Sequence, residues 1–141
     1  MNFKEIDIGK LINVRLQEKG VSTQRVCRFF NCSESHIENL LQSKNIDTDI
    51  LMKWSKLLEY DFFRIFSQHL ILYAPQGNIG HNKIKNKIHA VPQFRKNIYT
   101  KQLIDFILES IENKEKTIND VITDYGIPKT TLYKWIKKRE E

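Results

Sequence analysis

The stretch Ser22-Thr23-Gln24-Arg25-Val26-Cys27-Arg28-Phe29-Phe30-Asn31-Cys32-Ser33-Glu34-Ser35-His36-Ile37-Glu38-Asn39-Leu40-Leu41 has a counterpart 95 residues later. The counterpart runs Thr117-Ile118-Asn119-Asp120-Val121-Ile122-Thr123-Asp124-Tyr125-Gly126-Ile127-Pro128-Lys129-Thr130-Thr131-Leu132-Tyr133-Lys134-Trp135-Ile136. Ser22 and Thr117 are helix N-caps, whose side-chain oxygens accept from the free N–H groups of a first turn. Val26-Cys27 and Val121-Ile122 form the apolar side of a first helix. Phe30-Asn31 and Tyr125-Gly126 end it, and Asn and Gly are the residues that best tolerate the positive φ of a sharp turn. Cys32 and Ile127 plug the corner. Ile37 with Leu40-Leu41, and Leu132 with Trp135-Ile136, close the core from a second helix. The pattern is a helix-turn-helix, met twice.

Working outward, the rest of the chain is also helical in period. Ile8, Leu11, Ile12 and Leu16 share a face, and Gly20 stops that helix. Ser33 caps a third helix to about Gln42. Asp47 or Thr48 opens a fourth, with Ile50, Leu51, Trp54, Leu57 and Leu58 on one side. Asp61 opens a fifth, rich in Phe62, Phe63, Ile65, Phe66, Leu70 and Ile71, which Pro75 ends. Residues 74–97 contain Pro75, Gly77, Gly80 and Pro92 and are expected to form a flexible linker, with a helical turn around Ile84 and Ile88. From Tyr99 the period returns with Leu103, Phe106, Ile107 and Ile111. The expected organisation is a domain over 1–73, a basic linker over 74–97 and a second domain over 98–141. The fold class is all-α.

Charge is concentrated between the two repeats. The chain has 141 residues and a formal net charge of +6. Residues 1–61 hold nine basic and nine acidic residues, and residues 105–141 hold seven and eight. Residues 62–104 hold seven basic residues and no acid. Such a block suits a polyanion, although a solvated linker has the same composition. The composition, 40% hydrophobic and 28% charged, is that of a globular domain. No apolar run approaches the ~20 residues of a membrane span. The start, Met1-Asn2-Phe3-Lys4-Glu5-Ile6-Asp7, lacks the basic-then-apolar order of a secretory signal, so a cytoplasmic location and no membrane partner are expected.

Two resemblances follow from quoted text. Residues 6–73, through Ile8-Gly9-Lys10-Leu11-Ile12, Gly20-Val21-Ser22, Asn31-Cys32-Ser33 and Ile46-Asp47-Thr48-Asp49-Ile50-Leu51, resemble the phage-repressor-like DNA-binding domain of bacterial regulators. The resemblance implies a five-helix bundle; Cys27 stands where that family often has alanine, and Asn31 where it has glycine. Residues 98–139, through Tyr99-Thr100-Lys101 and Gly126-Ile127-Pro128-Lys129-Thr130-Thr131-Leu132-Tyr133-Lys134-Trp135, resemble the helix-turn-helix of insertion-element transposase accessory proteins. That resemblance implies a small three-helix domain.

A helix-turn-helix lays its second helix in the major groove. The residues expected to meet double-stranded DNA in the first repeat are Thr23, Gln24, Ser33, Glu34, Ser35, His36 and Asn39. Glu34 and Glu38 face a phosphate-rich surface with the wrong sign, but glutamate can accept from cytosine N4. In the second repeat they are Lys129, Thr130, Thr131, Tyr133, Lys134 and Lys137. Lysine binds phosphate as a point charge, and threonine and tyrosine add directed bonds. In the linker they are Lys83, Lys85, Lys87, Arg95 and Lys96, which could add about −4 to −5 to the salt slope of binding.

Catalytic chemistry does not assemble. Cys27, Cys32 and His36 form a Cys-x4-Cys-x3-His string, but a closed zinc site needs a fourth ligand. Both cysteines occupy core positions of the motif, so free buried thiols are expected, with no metal and no cofactor. His36, His69, His81 and His89 have no nucleophile at a known spacing. The expected function is non-enzymatic, sequence-specific DNA binding by two helix-turn-helix units, in transcription regulation or in mobile-element recognition. The alternative is a protein-interaction module that forms a homodimer through Phe62, Phe63, Phe66 and Leu70 of the fifth helix, a stripe that core packing would also explain.

Overall fold

A computed structural model describes residues 3–74, 92 and 97–141. Eight helices and no strand are present among the described residues, in agreement with the all-α expectation. In chain order they are α1 (Ile8–Lys19), α2 (Thr23–Phe30), α3 (Glu34–Gln42), α4 (Thr48–Leu58), α5 (Phe63–Tyr73), α6 (Lys101–Glu112), α7 (Ile118–Tyr125) and α8 (Lys129–Glu140). The expected turn at Ile84 and Ile88 lies outside the described residues.

The helices begin where acceptor side chains stand. Asp7, Ser22, Ser33, Thr100 and Thr117 each accept from a backbone N–H three residues on, capping α1, α2, α3, α6 and α7. Asp47 precedes α4 but makes no such bond. Asp61 instead accepts from the Phe63 N–H at 3.1 Å at the start of α5. At Thr117 the cap is reciprocal. The Thr117 hydroxyl accepts from the Asp120 N–H at 3.1 Å, and the Asp120 carboxylate accepts from the Thr117 N–H at 2.8 Å.

The described residues form two compact units, one ending at Phe66 and the other beginning at Ser67. In the first, α1 packs on α3 and α4, and α2 packs on α3. Its core gathers Ile8, Ile12 and Leu16 from α1, Val26 from α2 and Ile37 from α3. Leu51, Trp54, Leu57 and Leu58 of α4 join them, with Phe62 and Ile65. Phe30 lies 4.7 Å from Trp54 between ring centroids and seals one side. Each fully buried aliphatic or aromatic side chain in such a core stabilises by roughly 1.5–3 kcal/mol. Gly9 lets the first turn of α1 approach the end of α3, where its N–H donates to the Ser43 carbonyl at 3.1 Å. A Cβ at this position would lie 2.5 Å from the Leu41 and Ser43 carbonyl oxygens.

In the second unit α6 packs on α8. Leu103, Ile107, Leu108, Val121, Tyr125, Ile127 and Leu132 are buried there, as are Ile71 and Leu72 of α5. Gln68 is 1% exposed. Its Nε2 donates to the Ile98 carbonyl at 2.6 Å, and its Oε1 accepts from the Thr100 N–H at 3.0 Å. Phe62, just before α5, is core, as are Ile65 and Ile71 within it; Phe63 is half-buried, and Phe66 and Leu70 are exposed.

Candidate nucleic-acid interface

The two repeats agree in backbone as well as in pattern. α2 and α7 each have eight residues and start and stop at the same offset of 95. Asn31 has φ 52° and ψ 51°, and Gly126 has φ 61° and ψ 24°, so both turns pass through the left-handed region. Val26 and Val121 are both 0% exposed, and Ile37 and Leu132 are 1% and 0% exposed. The corner residues differ: Ile127 is buried while Cys32 is half-buried.

These anchors fix which side of the second helix faces out. With Ile37 inward, the helical period turns Ser35, Glu38, Asn39 and Gln42 to the opposite side of α3, and all four are exposed. With Leu132 inward, the same period turns Thr130, Tyr133, Lys134 and Lys137 outward on α8, and all four are exposed. The two sets correspond position by position. One carries Ser, Glu, Asn and Gln, with one negative charge. The other carries Thr, Tyr and two lysines.

Other expected contact residues divide according to this geometry. Thr23 and Gln24 are exposed at the start of α2. Glu34 and His36 are exposed on the first turn of α3, flanking the outward face. Ser33 is exposed, but its hydroxyl oxygen accepts from the His36 N–H at 3.3 Å as the cap of α3. Thr131 is half-buried and sits beside the outward face of α8. Lys129 is exposed, with its ammonium 5.8 Å from the Tyr133 ring centroid. That stacking orients both side chains at the start of α8. Lys83, Lys85, Lys87, Arg95 and Lys96 lie outside the described residues. Gln42 shares the outward face of α3 and was not expected; the residue ends its helix, and only the register set by Ile37 reveals it.

Not every cation of α8 is free for a partner. Arg139 reaches back to α6, with Nε 2.9 Å from Glu112 and a second guanidinium nitrogen 3.1 Å from the same carboxylate. It also stands 3.9 Å from Asp105. Its role is to tie α8 to α6. Trp135 is half-buried rather than core, and meets Tyr99 edge-on with ring centroids 4.9 Å apart.

Cys27 and Cys32 are free thiols, half-buried rather than buried. Both pack against the first core, Cys27 from α2 and Cys32 from the turn that follows it. Desolvation pushes the Cys27 thiol above its ordinary range, with Cys32 and Glu34 adding to the shift. Among the described residues no group of three or more His, Cys, Asp or Glu is placed to hold a metal ion. No described helix is long and apolar enough to cross a membrane. The chain matches no family model, no curated protein and no solved structure.

Proposed function

We propose that the chain is a sequence-specific DNA-binding protein with two helix-turn-helix units, acting as a transcriptional regulator or as the DNA-recognition part of a mobile-element system. The observation that carries this reading is the outward face of α8, where Thr130, Tyr133, Lys134 and Lys137 are all exposed on one side. A helix laid in the major groove needs such a mixture of point charges and directed hydrogen-bond groups. The finer architecture belongs to the same reading: a five-helix repressor-like bundle, a basic linker and a small three-helix domain.

The unequal faces imply a division of labour. The lysines of α8 supply phosphate affinity. The α3 face supplies almost none, because Glu38 opposes it, but Ser35, Asn39 and Gln42 can bond base edges; Asn and Gln suit adenine. Two such readers on one chain raise each other's effective concentration on a bipartite site.

The test is selection of random duplexes by the intact chain over a salt series, followed by sequencing. A recurrent two-part motif that survives moderate salt is the expected outcome. Binding that vanishes steeply with salt and enriches nothing would leave only phosphate contacts and sink the sequence-specific reading.

A second reading, an interaction module, is favoured by exposed apolar side chains on α5. Leu70 and Tyr73 are 55% and 43% exposed, and Phe66 is 37% exposed. Leu70→Glu in a dimer would give a folded monomer, seen by sedimentation. An unchanged sedimentation profile argues against this reading.

A further inference from the structure

Between α6 and α8 runs an open groove of about 610 Å³. Its apolar lining is Ile104, Leu108 and Trp135. Ile104 and Trp135 are half-buried, so the surface they offer is accessible, and the Tyr99 ring braces Trp135 edge-on. The volume falls in the range of about 300–1,000 Å³ typical of small-molecule sites.

The charges around this lining are unequal. Asp105 lines the groove, but Arg139 opposes it from 3.9 Å. Arg139 in turn is held by Glu112 at 2.9 Å. Lys101 and Lys138 also line the groove, both are exposed, and neither forms an ion pair among the described residues. The groove therefore joins an aromatic and aliphatic floor to two ammonium groups that form no ion pair among the described residues.

We propose that this groove binds a small amphipathic carboxylate, with an aromatic or branched apolar body on Trp135, Ile104 and Leu108 and its carboxylate between Lys101 and Lys138. A cationic ligand meets like charge. A bare phosphate leaves the apolar floor unused. An apolar carboxylate answers both features, and its charge-assisted bonds to the ammonium groups add to the area it buries. The site does not depend on DNA binding, because Thr130, Tyr133, Lys134 and Lys137 lie on another side of α8.

The experiment titrates the intact chain with 2-naphthoate and, separately, with its uncharged amide, by calorimetry and by ¹⁵N-resolved NMR. Saturable 1:1 binding of the carboxylate, about tenfold tighter than the amide, is expected. The Trp135 indole N–H should move while the Trp54 indole, buried in the other unit, stays in place. The double variant K101Q/K138Q changes two exposed side chains and should lose the tenfold preference. Absence of saturable binding, equal affinity for acid and amide, or an unmoved Trp135 indole would each overturn the proposal. All three readouts are taken without DNA, so they are separate from the fate of the DNA-binding reading.

Discussion

Asn31 and Gly126 hold the same left-handed turn in two helical hairpins, at φ 52° and φ 61°. The turn is the costly element of the motif, because a Cβ in this region strains against the following carbonyl by roughly 1–2 kcal/mol. Asparagine lowers that strain through local hydrogen bonding, and glycine removes it. The two positions should therefore respond unequally. Gly126→Ala is expected to destabilise the second unit by about 1–2 kcal/mol. Asn31→Gly should leave the first unit within a few tenths of a kcal/mol, relief of strain offsetting the added unfolded-state entropy. Thermal melts followed by circular dichroism check both; for units of this size about 1 kcal/mol moves Tm by roughly 4–8 °C. Equal loss at both positions would show that the turns are not equivalent.

Gly9→Ala should destabilise although it sits inside a helix. Alanine gains about 1 kcal/mol in helix propensity over glycine. Against that, the new Cβ would stand 2.5 Å from two backbone carbonyl oxygens and 2.9 Å from a third. Backbone cannot swing aside as a side chain does, and overpacking of this kind typically costs about 1–3 kcal/mol. The net effect expected is a lower urea midpoint with unchanged helix content. A raised midpoint would mean that the end of α3 yields freely.

Much of the helical framework was legible because its signals are local. Ser22, Ser33 and Thr117 are good caps next to apolar periods, and each caps the helix expected of it. Asn31 and Gly126 announce turns by residue type alone. The structure's additional features depend on partners far along the chain. Gly9 needs the carbonyls of residues 40–43, and Gln68 needs Ile98 and Thr100, 30 and 32 residues away. Neither partner set has a sequence signature. The candidate interface was legible by residue type but not by side: Gln42 shares the outward face of α3, whereas Ser33 is engaged as a cap. Arg139 looks like its lysine neighbours in sequence, yet it is bonded to Glu112.

That distinction sets up a salt test. If α8 binds DNA, Lys134→Ala and Lys137→Ala should each reduce the slope of log K against log salt by about 0.9, with little change in base preference. Arg139→Ala should leave the slope unchanged and lower stability instead, by about 0–1 kcal/mol, because its ion pairs are partly exposed. Binding isotherms at four or five salt concentrations measure the slopes. A full unit of slope lost in the Arg139 variant would reverse the assignment.

Acid should weaken the fold through its capping and ion-paired carboxylates. The Asp120 carboxyl is held below its ordinary pKa, chiefly by the Thr117 hydroxyl and backbone N–H, with Lys116 adding. Asp7 is lowered by its bond to Lys10, and Glu59 by its bond to Lys19. A carboxyl lowered in the folded state contributes stability above its unfolded pKa and loses it as pH falls through the folded value. The urea midpoint should thus be flat near neutrality and fall below about pH 4. Asp120→Ala should lower the neutral plateau and flatten the acid limb. An acid limb of undiminished depth in that variant would place the loss elsewhere.

The Gln68 amide offers the converse pH test. Its Nε2 donates to the Ile98 carbonyl at 2.6 Å, while its Oε1 accepts from the Thr100 N–H at 3.0 Å and lies 3.3 Å from the Thr100 hydroxyl. That hydroxyl accepts in turn from the Leu103 N–H at 3.3 Å, so a buried amide fixes the cap of α6. Gln68→Leu strips partners from the Ile98 carbonyl and the half-buried Thr100 N–H, a loss of at most about 1–3 kcal/mol for each group left unsatisfied. Gln68→Glu keeps the shape but turns a donor into a carboxylate oxygen facing the Ile98 carbonyl. Only the protonated acid can restore that donor, so the folded state should raise the glutamate's pKa above its ordinary value of about 4.3. A group raised in this way contributes stability below its unfolded pKa and loses it as pH climbs through the folded value. The Gln68→Glu chain should therefore be destabilised at neutral pH and recover toward the parent on acidification, until the shared loss at Asp120 intervenes. Urea midpoints for parent and variant between about pH 4 and 7 decide the matter. A difference between the two that stays constant over that range would mean that the amide N–H contributes nothing to holding residues 98–100.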